Sequence, residues 1–379
     1  MAEKKRMANL ELLRCVAMMM VVVLHFLGKG GLLTGGDRSL SEGAVALDVT
    51  GYTAWMLESL CIVAVNVYML ISGYFLCTGS FKLSRLLQLW LQLEVYSVGI
   101  GVMAAALGIV EETAVDTHYY LSLLFPVSMG HYWFMTAYVF LYLLLPFVGM
   151  AVRKMSKEQM KATVIILLAV FCILKSVVPF RLEQDMKGYD CIWYLCVFVI
   201  AAYVRRFGLP LIQKKWTCLC IYLAASLLAF AEVMVLHGIN LKTGSLSWIV
   251  NVSMEYNHIL PLLGALGLFG FFLNLSVPDR VSPVINIVAA CTLGVYLLHE
   301  NLGLRYSWQN WLGADKVSGV GSLLLWTVVA VVTVFVCGVL IELVRSRIFG
   351  LLHKMLKKIG CFKRMFEMIE KADGIFKEV

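Results

Sequence analysis

Apolar runs of about 20 residues, the length that spans a bilayer as a helix, recur along the whole chain and alternate with short polar segments. Few of them show the one-sided polar face of a soluble surface helix. We therefore predict an all-α polytopic membrane protein with about ten transmembrane helices. The predicted spans cover residues 8–28, 55–77, 86–109, 132–152, 162–180, 190–206, 216–236, 249–275, 284–301 and 320–344.

Lysine and arginine are concentrated in every second loop of this arrangement. The basic loops carry Lys82 and Arg85, then residues 153–161, then residues 205–215, and then Arg280. They share a side with the basic N-terminus and the Arg345–Lys358 stretch, whereas an opposite loop carries Glu111, Glu112 and Asp116. Because cytoplasmic loops are enriched in basic residues, both termini are predicted to be cytoplasmic, in a plasma-membrane protein.

Composition supports this class and limits the partners. With 61% hydrophobic and 15% charged residues among 379, the chain fits no soluble globular class. Its net charge of +8 follows the membrane topology, so no nucleic-acid partner is predicted. The close cysteine pairs Cys191/Cys196 and Cys218/Cys220 have no histidines at metal-ligand spacing, and we predict no metal site.

The chain divides into two predicted parts. Residues 1–345 form the transmembrane domain, and residues 346–379 form a basic amphipathic tail on the cytoplasmic leaflet. Residues 29–54 form a glycine-rich outer loop, including Gly35 and Gly36, with room for a short helix before the second span.

Three ionisable residues lie inside the first span. Arg14 and His25 are eleven positions apart, so at about 100° per residue they share one face of a helix, roughly 16 Å apart along its axis. Glu11 precedes Arg14 by one helical turn and can pair with it. Taken by itself, the Arg14 side chain could extend to the membrane interface. The basic N-terminus followed by an apolar run could also be a signal anchor. Neither alternative accounts for His25 on the same face, because ionisable groups within a span usually face a cavity.

A second group is predicted at the inner depth of Arg14. Ser72 and Gly73 end the second span, and Lys82 and Arg85 open the third. Small residues commonly serve helix packing, and basic residues at this depth commonly anchor topology. The alternative is a site that grips phosphate groups.

A third group is predicted near the outer face. His131 and Trp133 open the fourth span, His299 and Glu300 end the ninth, and His25 lies at the same depth. An interfacial aromatic belt is the simpler explanation for Trp133. Asn251, Glu255 and His258, spaced i, i+4 and i+7 in the eighth span, predict a polar stripe facing a cavity.

Several segments, in this order, resemble the opening and later motifs of the acyltransferase family 3 membrane O-acyltransferases. The matching segments are Glu11-Leu-Leu-Arg14 with His25-Phe26, Asn66 with Ile71-Ser72-Gly73-Tyr74, Lys82-Leu-Ser-Arg85, Tyr132-Trp133-Phe134 with Tyr142 and Pro146, and Leu293-Gly294-Val295-Tyr296-Leu297-Leu298-His299. The resemblance extends from residue 8 to about residue 345.

This resemblance implies a ten-helix bundle that transfers an acyl group, often acetyl, from cytoplasmic acyl-CoA to a hydroxyl of a surface glycan or glycolipid. It implies acyl-CoA as co-substrate, with no permanently bound cofactor. His25 matches the essential histidine of the family and Arg14 its paired arginine, while Glu11 stands where the family often has aspartate.

From the resemblance and the predicted depths we assign three sets of residues. The catalytic set is Glu11, Arg14 and His25, with His25 as general base. The donor-binding set is Ser72, Gly73, Lys82 and Arg85. The acceptor-binding set, for a surface glycan or lipid-linked sugar, is Asn66, His131, Trp133, Glu255, His299 and Glu300.

Two alternatives remain at this point. A transporter or flippase could use a proton relay through the intramembrane residues Glu58, Glu94, Glu232, Glu255 and His258. Against it, the chain shows no pair of matching halves with broken helices. A scaffold or sensor without chemistry would leave the polar face of the first span unexplained.

Overall fold

Helices account for nearly all of the regular structure in the computed structural model, which describes residues 6–33, 46–178 and 185–375. In chain order they are α1 (Ala8–Lys29), α2 (Val49–Cys61), α3 (Ala64–Leu76), α4 (Leu83–Ala106), α5 (Thr117–Leu124), α6 (Trp133–Lys154), α7 (Lys157–Leu168), α8 (Leu174–Val177), α9 (Cys191–Phe207), α10 (Lys215–Thr243), α11 (Ile259–Leu273), α12 (Ser282–Ala290), α13 (Thr292–His299), α14 (Trp308–Trp311), α15 (Val320–Leu356) and α16 (Gly360–Ile375). Short 3₁₀ turns cover Glu112–Ala114, Pro210–Ile212, Val252–Met254 and Ala314–Lys316, and a π-helical turn, Ala169–Ile173, joins α7 to α8.

The first helix is the central element of the bundle. It packs against α2, α3, α11, α12, α13 and α15, and most of its apolar side chains are buried. A helix that is apolar all round and carries a few polar groups belongs inside such a bundle, where those groups can face partners. The position of α1 therefore places Arg14 and His25 inside the protein.

The prediction of an all-helical polytopic membrane protein is confirmed. Among the described residues, nine helical segments are long and apolar enough to cross a membrane. They are Ala8–Lys29, Val49–Leu76, Leu83–Ala106, Trp133–Lys154, Lys157–Val177, Lys215–Thr243, Val252–Leu273, Ser282–His299 and Val320–Leu356. The remaining predicted span, 190–206, coincides with α9, whose 17 residues are at the short end of the range for a bilayer helix.

The second and the ninth predicted spans are each divided into two helices in the structure. The second begins earlier than predicted, at Val49, and is interrupted between α2 and α3. The ninth consists of α12 and α13, which meet at Cys291. Hydropathy records only the apolar content of a segment, and a break that keeps the chain apolar leaves no signal in it.

The predicted helical stripe of Asn251, Glu255 and His258 is wrong. Residues Val252–Met254 form a 3₁₀ turn, and α11 begins only at Ile259. The backbone N–H of Leu260 donates to Nδ1 of His258, so His258 caps the helix. The three residues therefore do not repeat at helical spacing, and each has its own surroundings.

The C-terminal end extends the last span. Helix α15 continues without a break past residue 345, and α16 then returns towards the start of α4. There the backbone N–H and the hydroxyl of Ser84 donate to the Asp373 carboxylate at 3.0 and 2.5 Å. Partly buried apolar residues on one face of α16 agree with the predicted amphipathic tail. The domain boundary and the tail's contact with lipid remain predictions, and Gly35 and Gly36 lie outside the described residues.

Candidate active site

A cavity of about 220 Å³ lies beside α1 and contains both Arg14 and His25 in its wall. The other walls come from α3, α4, α6, α13 and the segment before α11. The spacing on α1 predicted one shared face, and the structure places that face on the cavity. One cavity therefore joins a basic site to a histidine.

The basic end of the cavity is formed by three helices. Arg14, Ser72 and Arg85 all line it. The Arg14 side chain is 31% exposed, which leaves its guanidinium accessible, and Glu11 lies 3.8 Å from it as a weak ion pair. Two guanidinium groups facing one space form a binding site suited to phosphate, which guanidinium binds through paired hydrogen bonds.

Two other predicted donor residues have different surroundings. Gly73 faces α9, where an added Cβ would lie 2.8 Å from Cβ of Ala201, so it is a close packing contact. The Lys82 backbone hydrogen-bonds to the Tyr142 hydroxyl and starts α4 one turn before Arg85. Among the described residues that line the cavity, neither Gly73 nor Lys82 is present.

The histidine end is built by α1 and the end of α13. Nδ1 of His299 lies 2.6 Å from the carbonyl oxygen of Val295, and a carbonyl oxygen only accepts. His299 therefore carries its proton on Nδ1 when neutral and accepts on Nε2, 3.0 Å from Nδ1 of His25. This network assigns the proton of His25 to Nδ1, which makes Nε2 the basic nitrogen of its ring.

A carboxylate completes the arrangement. Oε1 of Glu300 lies 3.2 Å from Nδ1 of His25 and also pairs with Lys29. Both Glu300 and His299 are buried. A carboxylate next to Nδ1 fixes the orientation of the ring and stabilises the imidazolium that would form if Nε2 took a proton. The arrangement therefore has the parts of a general base with an orienting group.

The segment after α13 holds this group in place. Trp308 stacks against Phe26 and donates from Nε1 to the carbonyl oxygen of His299 at 3.1 Å. Arg305 donates from its Nη2 to the carbonyl oxygen of Glu300 at 3.0 Å. Sequence reasoning missed Lys29, Arg305 and Trp308. Lys29 follows His25 by one helical turn, which was a usable signal, whereas no spacing rule connects residues 305–308 with α1.

Trp133 lines the cavity near Tyr256 and Tyr296. The other predicted acceptor residues lie outside its wall. Asn66 donates from Nδ2 to the Tyr256 carbonyl oxygen at 2.7 Å, and Glu255 pairs with Lys175 at 2.5 Å. Predicted depth alone could not tell which of these side chains face the cavity.

His131 is buried among partners of its own. The backbone N–H of Leu302 donates to its Nε2 at 2.7 Å, and its Nδ1 lies 3.1 Å from the hydroxyl of Ser97. Both ring nitrogens thus join the start of α6 to α4 and to the segment after α13. These contacts favour a structural role for His131.

Acidification is expected to destabilise the fold through His131. Burial, followed by the charge of Arg305, lowers its pKa from 6.5 to about 3. Between these values the unfolded chain binds the proton and the folded chain does not, so stability is lost as the pH falls below 6.5, by at most about 1.4 kcal/mol per pH unit. In detergent, the Tm of the wild type should fall more steeply from pH 6.5 to 4.5 than that of His131→Gln. Parallel curves would contradict this assignment.

The sequence matches a protein-family model over most of its length. The Acyl_transf_3 family model, an acyltransferase domain, matches residues 7–342. Comparisons with curated proteins and with solved structures give no match. The matched region contains every helix that lines the cavity, and the family settles the choice between an enzyme and a transporter. The chain belongs to the acyltransferase 3 family and is a membrane acyltransferase.

Proposed function

We propose that the protein transfers an acyl group, acetyl in the simplest case, from cytoplasmic acyl-CoA to a hydroxyl of a cell-surface glycan or lipid-linked sugar. The observation that carries this proposal is the single cavity with two arginines at one end and His25 at the other. The positive-inside pattern supports a cytoplasmic position for the arginine end in the plasma membrane. The proposed partners are acyl-CoA, the sugar acceptor and the surrounding lipid bilayer. No nucleic-acid partner is proposed.

The basic end suits the donor. Arg14 and Arg85 would bind the phosphates of CoA, and the hydroxyl of Ser72 lies in the same wall. The distance of roughly 16 Å along α1 to His25 is about the reach of an extended pantetheine arm. The thioester would then lie beside His25, while the nucleotide stays at the cytoplasmic mouth.

The histidine end suits the transfer step. Nε2 of His25 takes the proton of the acceptor hydroxyl as its oxygen attacks the thioester carbonyl carbon. The carbon–sulfur bond breaks, CoA leaves as a thiolate, and the proton passes from the imidazolium to that thiolate. Glu300 stabilises the imidazolium between these two proton transfers, because it lies 3.2 Å from Nδ1 of His25.

Release of CoA tests this function directly. Purified protein in detergent, where both faces are accessible, supplied with acetyl-CoA and with sugar acceptors, should release free CoA thiol and form an equal amount of acetyl ester. His25→Ala protein in the same detergent is the blank. Equal CoA release by wild type and blank, with no ester formed, would refute the proposed reaction.

A further inference from the structure

A buried lysine lies outside the active site, beside the segment that carries the cavity residue Tyr256. Lys175 in α8 is only 3% exposed. Its Nζ lies 2.5 Å from Oε2 of Glu255, 2.8 Å from Oδ2 of Asp185 and 2.7 Å from Oδ1 of Asn257. A buried ammonium group with all three donors engaged is costly to desolvate, so such a cluster is weak evidence for added stability.

The cluster fixes Tyr256, because two of its members are the neighbours of Tyr256 in the chain. Glu255 and Asn257 flank Tyr256, and both bind Lys175. The backbone N–H of Tyr256 donates to the Lys187 carbonyl oxygen at 3.1 Å, and its carbonyl oxygen accepts from Asn66 at 2.7 Å. The backbone of Tyr256 is therefore fixed on both sides in a segment that has no regular helix.

A tight turn packs closely against Tyr256. Lys187 and Gly188 have φ values of 59° and 83°, in the left-handed region. A Cβ on Gly188 would lie 2.8 Å from Cβ of Tyr256, so glycine is needed for this approach. Asp185, at the start of the turn, belongs to the cluster, and its carboxylate accepts from Lys175 and from Nδ2 of Asn257. Burial alone would raise the pKa of Asp185, but the hydrogen bond and charge of Lys175 hold that pKa below its ordinary value.

Three aromatic rings meet where these segments converge. Trp133 stacks on Tyr256 with ring centroids 5.7 Å apart and an interplanar angle of 17°. Tyr189 packs against both, at 4.4 Å from Trp133 and 4.6 Å from Tyr256. We name these three residues the aromatic platform. Trp133 and Tyr256 line the same cavity as His25.

We propose that the aromatic platform receives a sugar ring of the acceptor and that Lys175 is the positioning residue that holds Tyr256 in it. The inference rests on the proposed function and adds the chemistry of acceptor recognition. A pyranose presents C–H groups on one face and hydroxyls at its edge. Aromatic rings provide a rigid apolar surface for that face. Trp133 and Tyr256 share the cavity wall with His25, so a sugar bound there lies in the same cavity as the general base.

The test compares cyclic with acyclic acceptors. The probes are methyl pyranosides of glucose, galactose, mannose and N-acetylglucosamine, with sorbitol as the acyclic control, each given with acetyl-CoA to protein in detergent. We expect acetylation of at least one pyranoside to be much faster than that of sorbitol. Equal rates for sorbitol and every pyranoside would overturn the proposal while leaving acyl transfer intact. Wild-type protein that turns over no acetyl-CoA with any acceptor would instead overturn the proposed function, and the inference with it.

Four variants separate positioning from folding. Lys175→Met and Tyr256→Leu should each raise KM for the preferred pyranoside about tenfold and leave KM for acetyl-CoA unchanged. Tyr256→Phe keeps the ring and should behave as wild type. Lys161→Met is the matched control, because Lys161 is an exposed lysine of α7 that takes no part in this cluster, and neither KM should change.

The deciding comparison is between the change in KM for the pyranoside and the change in KM for acetyl-CoA. If Lys175→Met does not fold, as judged by its elution in detergent, Tyr256→Leu against Tyr256→Phe still decides whether the ring binds the acceptor. Equal increases in KM for both substrates, or an unchanged pyranoside KM in Tyr256→Leu, would refute the proposal.

Discussion

Replacing His25 with alanine is expected to lower kcat for acyl transfer by about 10³-fold, within the range that general-base catalysis contributes. The substitution removes the nitrogen that takes the acceptor proton and leaves the cavity wall apolar. Acetyl-CoA should still bind, because the arginine end of the cavity is roughly 16 Å away along α1. Transfer rates and CoA affinity, measured on the same preparation, check both statements.

The matched control for this variant is His237→Ala. His237 is also a buried histidine within a span, in α10, and it does not line the cavity. Its loss should leave kcat within about twofold, because general-base catalysis requires contact with the reacting hydroxyl. If His25→Ala retained a tenth or more of the wild-type kcat, the general base would have to be another group.

Replacing Arg14 with alanine is expected to raise KM for acyl-CoA by about 10- to 100-fold, with a much smaller effect on KM for the acceptor. Hydrogen bonds to charged groups contribute about 1.5–3 kcal/mol each, and that energy corresponds to this range. Arg14→Lys should recover only part of the affinity, because an ammonium group lacks the planar pair of donors. Titration of each substrate at saturating levels of the other gives the two KM values.

Arg347→Ala is the control for charge alone. Arg347 is an exposed arginine of α15. Its removal changes the net charge by the same amount, and KM for acyl-CoA should stay unchanged. An unaltered donor KM in both Arg14 variants would contradict the phosphate-binding role, and an equal rise for donor and acceptor would indicate a structural role.

The spacing argument holds where one regular helix carries the pattern. Arg14 and His25 share a face because α1 is regular over its whole length, so the angular arithmetic holds. The same arithmetic failed for Asn251, Glu255 and His258, because that segment is a 3₁₀ turn followed by a helix cap. Hydropathy finds a span, but it does not show whether the backbone inside the span is helical.

The sequence predicts which residues share a depth in the membrane, but not which of them contact each other across helices. His25, His131, His299 and Glu300 were placed in one layer, and the structure brings His25, His299 and Glu300 together. His131 has the same predicted depth, but its side chain contacts Ser97 on another side of the bundle. Rotation of a helix about its axis decides between these outcomes, and it depends on packing that a single sequence does not display.

The most direct test of trans-bilayer transfer uses membrane vesicles of known sidedness. Cysteines introduced at Asp116 and Lys157, in a background without reactive native thiols, report the orientation through labelling by an impermeant reagent. Radiolabelled acetyl-CoA, which does not cross the bilayer, is added outside inside-out and right-side-out vesicles. We predict that label appears in glycan inside the inside-out vesicles, that right-side-out vesicles stay unlabelled, and that His25→Ala vesicles of both kinds stay unlabelled. Labelling of right-side-out vesicles alone would contradict entry of the donor at the arginine end from the cytoplasm.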